Sequence, residues 1–291
     1  MIINASQRCD ICAFYSDWFY ERIKEGIIKV RNPYYPSQIK TIELKKDNID
    51  AMVFITKNPI PMLSRLDELI ARYPICFYIT ITPYHKEIEP GIPDKKKIIE
   101  VLKEIANKIG KERVVLRYDP ILLNSRYTIE YHEKAFEKLV KQIANDIDHV
   151  IISFVDTYTC NKKALSLLGV KKLTILEIEE IAKRIGEIGK KYQVPIQACA
   201  EPYSLEIMGI DKKACINQEY MEKVIGHPLK ITSKRKLRQE CHCIPTVDIG
   251  QYDCCPNFCQ YCYANHISRK KIIENQKRND KNSPFLLGDE N

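Results

Sequence analysis

No stretch of this chain approaches the roughly 18 consecutive apolar residues that a membrane helix needs, so none is expected to span a bilayer. The first residues, MIINASQRCD, have neither a basic n-region nor an apolar h-region. No secretory signal is therefore expected, and the cytoplasm is the default location. Low-complexity tracts are missing, and no glycine-rich dinucleotide or P-loop fingerprint follows an apolar run. That absence argues against a nucleotide-binding open sheet. Twelve cysteines in 291 residues are too sparse for a disulfide scaffold, and a chain of this length can bury a core without one. In a reducing compartment, thiols that cluster point to metal or redox chemistry. The formal charge of +8 is concentrated only in 230-KITSKRKLRQ-239 and 269-RKKIIENQKR-278. Neither stretch interleaves aromatic residues as a single-strand stacking platform does, so nucleic acid is not an expected partner.

What is present is an alternation of strands and helices. Short, nearly continuous apolar runs occur at 1-MIINAS, 51-AMVFIT, 75-ICFYITIT, 113-RVVLRYD, 149-HVIISFVD, 194-VPIQACAE and 245-PTVDIG. Runs of this kind suit parallel strands buried on both faces. Between them lie helical segments at 14-FYSDWFYERIKEG, 63-LSRLDELIARY, 95-KKKIIEVLKEIANKIG, 128-TIEYHEKAFEKLVKQIAND and 175-ILEIEEIAKRIGEIGKKY. Thr174 and Glu177 form a capping-box signature ahead of the last of these. The segment 26-GIIKVRNPYYPSQIKTIEL reads as an inserted hairpin. The pattern predicts an α/β fold, a TIM-like barrel or part of one. Residues 1–240 would form its body, 241–268 a last strand and cysteine loop completing the same domain, and 269–291 a basic tail.

Polar residues gather where the predicted strands end, from Ser6 to Asp10 and then at Lys57, Arg117, Asp119 and Glu201. In α/β barrels the carboxyl ends of the strands build the active site, so Lys57, Arg117, Asp119 and Glu201 are candidate catalytic residues. Arg117 suits a carboxylate or phosphate through its planar fork. His85, His132 and His227 read as helix-surface or loop residues. Cys76, Cys160, Cys199 and Cys215, isolated in the sequence, read as small buried hydrophobes without a role.

The densest signal is 254-CCPNFCQYCYAN-265. Cys255, Cys259 and Cys262 are spaced C-x3-C-x2-C, close enough for their sulfurs to converge on an object a few ångströms across. Three occupants compete: structural zinc, a four-cysteine iron–sulfur cluster, and a [4Fe–4S] cluster on three cysteines that leaves one iron open. The spacing, with Tyr261 before the last cysteine, resembles the signature of radical S-adenosylmethionine (SAM) enzymes. By that resemblance Cys255, Cys259 and Cys262 each ligate one iron, SAM chelates the fourth, and Tyr261 lies beside the adenine. The resemblance also implies a small-molecule substrate and an electron donor such as a ferredoxin or flavodoxin.

In those enzymes the cysteine loop follows the first barrel strand, whereas here it follows the last, which implies a circular permutation. Over nearly its whole length the chain resembles the uncharacterised prokaryotic family known as domain of unknown function 1848. The segments that carry the likeness are 2-IINASQRCDICAFYSDWF, 55-ITKNP, 115-VLRYDPIL, 151-IISFVD and 241-CHCIPTVDIGQYDCCPNFCQYCYAN. That family implies a radical-SAM-like cysteine cluster near the carboxyl terminus and no established activity. Against its pattern, Cys9, Cys12 and Cys254 are extra, and a second metal site drawn from Cys9, Cys12, Cys241 and Cys243 is one further expectation. No GGE-type motif for SAM follows the second strand. Two other functions remain open: an iron–sulfur electron-transfer or redox-sensing protein whose fourth ligand is Cys241, Cys243 or Cys254, and a zinc-stabilised nucleic-acid-binding module.

Overall fold

Apolar runs covered on both faces become the strands of one parallel sheet. The computed structural model describes residues 1–5, 7–231 and 240–288. Ser6, most of the basic segment 230–239 and the last three residues of the expected tail lie outside them. In chain order the strands are β1 (Ile2–Asn4), β2 (Ile27–Arg31), β3 (Ile39–Glu43), β4 (Ala51–Thr56) and β5 (Ile75–Thr80). There follow β6 (Val114–Ile121), β7 (His149–Phe154), β8 (Ile196–Ala198), β9 (Ile210–Lys212) and β10 (Val247–Asp248). Eight of them form one sheet in the order β10-β1-β4-β5-β6-β7-β8-β9, with every neighbouring pair parallel. Strands β2 and β3 pair antiparallel as the inserted hairpin.

The last strand pairs with the first, Ile3 opposite Val247 and Asn4 opposite Asp248. Strands β10 and β9 are the two edges. Among the described residues no ladder joins them, although the chain beside each edge meets the other: Ile244 N–H donates to the Ile216 carbonyl at 3.0 Å.

The helices are α1 (Ile11–Phe14), α2 (Ser16–Glu25), α3 (Leu66–Ile70), α4 (Lys95–Ile109), α5 (Ile129–Ile143), α6 (Lys162–Leu167), α7 (Ile175–Tyr192), α8 (Gln218–Ile225) and α9 (Arg269–Lys277). Their starts follow local chemistry. Asp94 caps α4 by accepting from Lys96 N–H at 2.9 Å, Thr128 caps α5, and Thr174 with Glu177 forms the expected capping box on α7. Caps of this kind are worth about 1 kcal/mol each. Residues Ile98, Leu102, Ile105 and Ile109 line the buried stripe of α4. None of the described helices is long and apolar enough to cross a membrane.

Strand side chains alternate between two cores, as a period of two requires. Met52, Phe54, Phe77, Ile79, Leu116, Tyr118, Val150 and Ile152 face the larger, helix-covered core. Ala51, Val53, Cys76, Tyr78, Val115 and Ile151 face a smaller one, closed by Tyr220, Met221 and Val224 of α8. Continuing along the strands on this second face come Lys57, Thr80, Arg117, Asp119 and Ser153, so the candidate site sits over the smaller core.

Strand β9 and helices α1, α6, α8 and α9 were not foreseen. Three residues of β9 and six of α6 are too few to show a period, and α9 buries only Ile272. The stretch expected as a basic tail instead packs back on the body through residue 288. Trp18 Nε1 donates to the Ser283 carbonyl at 2.9 Å, and Phe285, Leu286 and Leu287 are buried.

Candidate functional site

A cavity of about 950 Å³ opens at the carboxyl ends of the parallel strands. Its walls include Asn4, Lys57, Thr80, Arg117, Asp119 and Ser153 from the sheet, and Cys255, Cys259, Tyr261 and Cys262 from the loop after β10. Three of the four strand-end candidates thus share one space. Glu201, the fourth, is buried outside the cavity lining, where its carboxylate accepts the Phe154 N–H at 2.8 Å.

The cysteine loop is held from several sides. Asp10, at the N-cap of α1, accepts from Ala13 N–H, from Thr56 Oγ1 at 2.7 Å, from Lys57 N–H at 2.9 Å and from Asn257 Nδ2 at 3.3 Å. One carboxylate therefore joins the loop after β1, the end of β4 and the cysteine loop. Burial raises its pKa. On the opposite side, Gly91 N–H donates to the Asn257 carbonyl at 3.0 Å and Gln260 N–H to the Ile88 carbonyl at 2.9 Å. A Cβ on Gly91 would lie 2.6 Å from Asn257 Cα, so only glycine lets the two backbones approach this closely. Asp253 (φ 60) and Phe258 (φ 52) occupy left-handed backbone rarely taken by non-glycine residues. Such positions persist when their surroundings over-determine them, and they concentrate at functional sites.

Beside the loop lies a buried ionic hub that sequence reasoning missed. Glu89 accepts from Lys57 Nζ at 2.9 Å, from Lys95 Nζ at 2.7 Å, from Thr82 Oγ1 at 2.7 Å and from the Tyr261 hydroxyl. Burial works against its charge, but the two ammonium groups and these donors prevail and hold the carboxyl down to about 2. Burial also opposes the Lys57 ammonium, yet Glu89 and then Cys259 raise its pKa. Lys95, which shares the carboxylate, is instead lowered by burial. The Lys57 ammonium stands 5.4 Å from the centre of the Tyr261 ring. Glu89 sits in 83-PYHKEIEPG-91, where no periodicity or motif marks it.

Burial is the main cause raising the Cys255, Cys259 and Cys262 thiols, and Lys57 partly offsets it at Cys259 and Cys262. These three, with Cys9, are the cavity-lining thiols nearest the loop. Cys9 hydrogen-bonds to Cys254 and lies within charge range of Cys255. Cys254 itself donates to the Gln251 carbonyl at 3.1 Å and, like buried Cys12, does not line the cavity.

Cys241 and Cys243 do not join Cys9 and Cys12 as expected. They meet Cys199 and Cys215, two residues read from the sequence as roleless. Cys215 Sγ and Cys243 Sγ are 3.2 Å apart, Cys199 hydrogen-bonds to Cys215, and Cys241 to Cys243. Accepting from the Cys243 thiol and backbone holds Cys241 down to about 6. Among the described residues, no group of three or more His, Cys, Asp or Glu side chains has its donors already converged as on a metal ion.

His132 is not a surface residue. Its ring is fully buried between the Tyr118 hydroxyl (3.0 Å) and the Leu122 carbonyl (2.9 Å), and burial lowers its pKa to about 4.

Compared with known proteins, residues 2–264 match the family model described as Domain of unknown function (DUF1848). No curated protein matches the chain.

Proposed function

This chain belongs to the Domain of unknown function (DUF1848) family, and we propose that it is an iron–sulfur enzyme of radical-SAM-like type acting on a small molecule. The observation that carries the reading is the lining of one cavity by Cys255, Cys259 and Cys262, beside charged strand-end residues. The fit of the residues to a three-cysteine [4Fe–4S] cluster and SAM rests on three features. The three thiols line one cavity within charge range of one another. Lys57 supplies a permanent positive charge beside thiolates that carry negative charge. Asn257 and Asn265, which also line the cavity, each bury an amide oxygen that has no hydrogen-bond partner among the described residues. Orphan acceptors of this sort suit the amino groups of SAM.

When bound, such a cluster supplies one electron that cleaves SAM and starts radical chemistry, with a ferredoxin or flavodoxin as the reductant. The remaining work falls to the chain. Cys255, Cys259 and Cys262 would hold the cluster as thiolates, and the Asp10 and Gly91 contacts hold their loop against the sheet. Glu89 fixes the Lys57 ammonium and the Tyr261 ring at the cavity wall. Arg117, paired through two nitrogens with Asp119, presents a buried cation to an anionic substrate group. The sheet closing into a permuted barrel would complete the enclosure that radical chemistry needs.

The test is anaerobic purification, reduction with dithionite and EPR spectra with and without SAM. A reduced [4Fe–4S] signal that changes on adding SAM is expected. A cluster signal indifferent to SAM would move the assignment to an electron-transfer or redox-sensing protein. One observation favours that second reading: Cys9 lines the same cavity within charge range of Cys255 and could close the cluster as fourth ligand. A protein without iron would overturn both.

A further inference from the structure

Four cysteines from three separate stretches line neighbouring parts of the cavity wall. Cys199 directly follows β8, Cys215 follows β9, and Cys241 and Cys243 lie in the irregular stretch leading to β10. Cys215 Sγ and Cys243 Sγ lie 3.2 Å apart, with Cys199 beside Cys215 and Cys241 beside Cys243. We propose that Cys199, Cys215, Cys241 and Cys243 form a four-thiolate structural zinc site, distinct from the C-x3-C-x2-C loop, that fastens the two edges of the sheet to each other.

The donor set and its scale both select zinc. Zinc–thiolate bonds of about 2.3 Å in a tetrahedron put neighbouring sulfurs about 3.8 Å apart. The Cys215–Cys243 separation of 3.2 Å is within roughly half an ångström of that, a difference that small χ1 rotations supply. An iron–sulfur cluster interposes a cage of metal and sulfide and holds its thiolates farther apart. Four protein thiolates also complete the coordination, as in structural rather than catalytic zinc. Binding exchanges thiol hydrogens for metal bonds and releases the protons to water. Arg117, which also pairs with Asp119, lies within charge range of both Cys199 and Cys215 and offsets part of the resulting negative charge.

C-x-C is an unusual half-site for zinc, but the fold explains it here. Cys241 accepts from the Cys243 thiol and backbone, so the two lie on one side of the stretch, and Ile244 N–H anchors it to the Ile216 carbonyl immediately after Cys215. The Tyr78 hydroxyl donates to the Cys215 carbonyl at 2.9 Å from within the smaller core. The thiols therefore lie at a seam between sheet edges that share no ladder among the described residues, and a metal staple has the greatest effect on such a seam.

The proposal is independent of the cluster assignment, and one experiment separates them. Zinc and iron are counted by mass spectrometry of the full chain purified without oxygen, for wild type, Cys259→Ser and the double variant Cys215→Ser with Cys243→Ser. Wild type should hold one zinc per chain. The double variant should lose it and keep the iron, and Cys259→Ser should keep the zinc whatever happens to the iron. Should the double variant fail to fold, alkylation of wild type read peptide by peptide takes its place: the four thiols should be protected until a chelator is added. A wild type without zinc, zinc retained in the double variant, iron that falls by half in the double variant, alkylation indifferent to chelator, or a Cys215–Cys243 disulfide in the intact mass would each overturn the assignment.

Discussion

Two groups of cysteines flank one cavity and reach it by opposite routes. Cys255, Cys259 and Cys262 come from eight consecutive residues, and their neighbours Asp10, Glu89 and Gly91 hold the loop against the sheet ends. Among the described residues no sulfur–sulfur hydrogen bond joins these three. Cys199, Cys215, Cys241 and Cys243 are drawn from three stretches, and Cys215 and Cys243 stand sulfur to sulfur at 3.2 Å. The occupants proposed for them differ accordingly, an iron–sulfur cluster with one open iron for the first and a single zinc ion for the second. Residue type alone does not separate the two groups; where their residues come from in the chain does.

If the loop depends on the Glu89 hub and the seam does not, damage to the hub should separate the two groups. The largest effect is expected from Glu89→Gln. It leaves the half-buried Lys57 and Lys95 ammonium groups without their carboxylate, a loss of about 3–5 kcal/mol. Urea unfolding should show that loss, and metal analysis of the variant should show reduced iron with zinc unchanged. Equal loss of both metals would break the comparison.

The pH profile is the next test. Glu89 is held near 2 in the folded protein against an ordinary 4.5, so its contribution is present above about 4.5 and disappears as pH falls through 2. The difference corresponds to about 3 kcal/mol. His132, near 4 against an ordinary 6.5, has the same sign: buried as the neutral ring, it stabilises above about 6.5 and ceases to as pH falls through 4. Urea midpoints should therefore decline in acid in two stages, and Glu89→Gln should flatten the lower stage while leaving the upper. A profile unchanged by the substitution would remove Glu89 from the account.

The smallest effect is expected from Gly91→Ala. The added methyl would meet Asn257 Cα at 2.6 Å, and overpacking of this kind costs about 1–3 kcal/mol. Because backbone rather than a flexible side chain is struck, the cysteine loop must shift. Iron content should fall more than the unfolding midpoint suggests, and unaltered iron would show that the loop tolerates displacement.

Much of this architecture was legible beforehand. All seven predicted strands are present, the hairpin lies where the turn residues placed it, and the α7 capping box forms as written. Lys57, Arg117 and Asp119 could be singled out because strand ends are recognisable and parallel strands bring those ends together. Glu201 failed the same logic: it ends a strand run but turns to the Phe154 backbone instead of the cavity. Glu89 left no trace because a carboxylate in a loop looks solvated until two lysines and a tyrosine are found around it. His132 was misread for a related reason, since its buried partners, Tyr118 and the Leu122 carbonyl, come from another element.

The parallel strands, the helix caps and the C-x3-C-x2-C loop are properties of a few consecutive residues, where side-chain periodicity and the reach of the chain leave little freedom, and the amino-acid order was sufficient to find them. The meeting of Cys199 and Cys215 with Cys241 and Cys243, the Glu89 hub and the contact between the sheet's two edges required the folded chain. Glu89 meets Lys57 32 residues away and Tyr261 172 residues away, and Cys215 meets Cys243 28 residues away, separations that the order of strands in the sheet closes and no local pattern encodes.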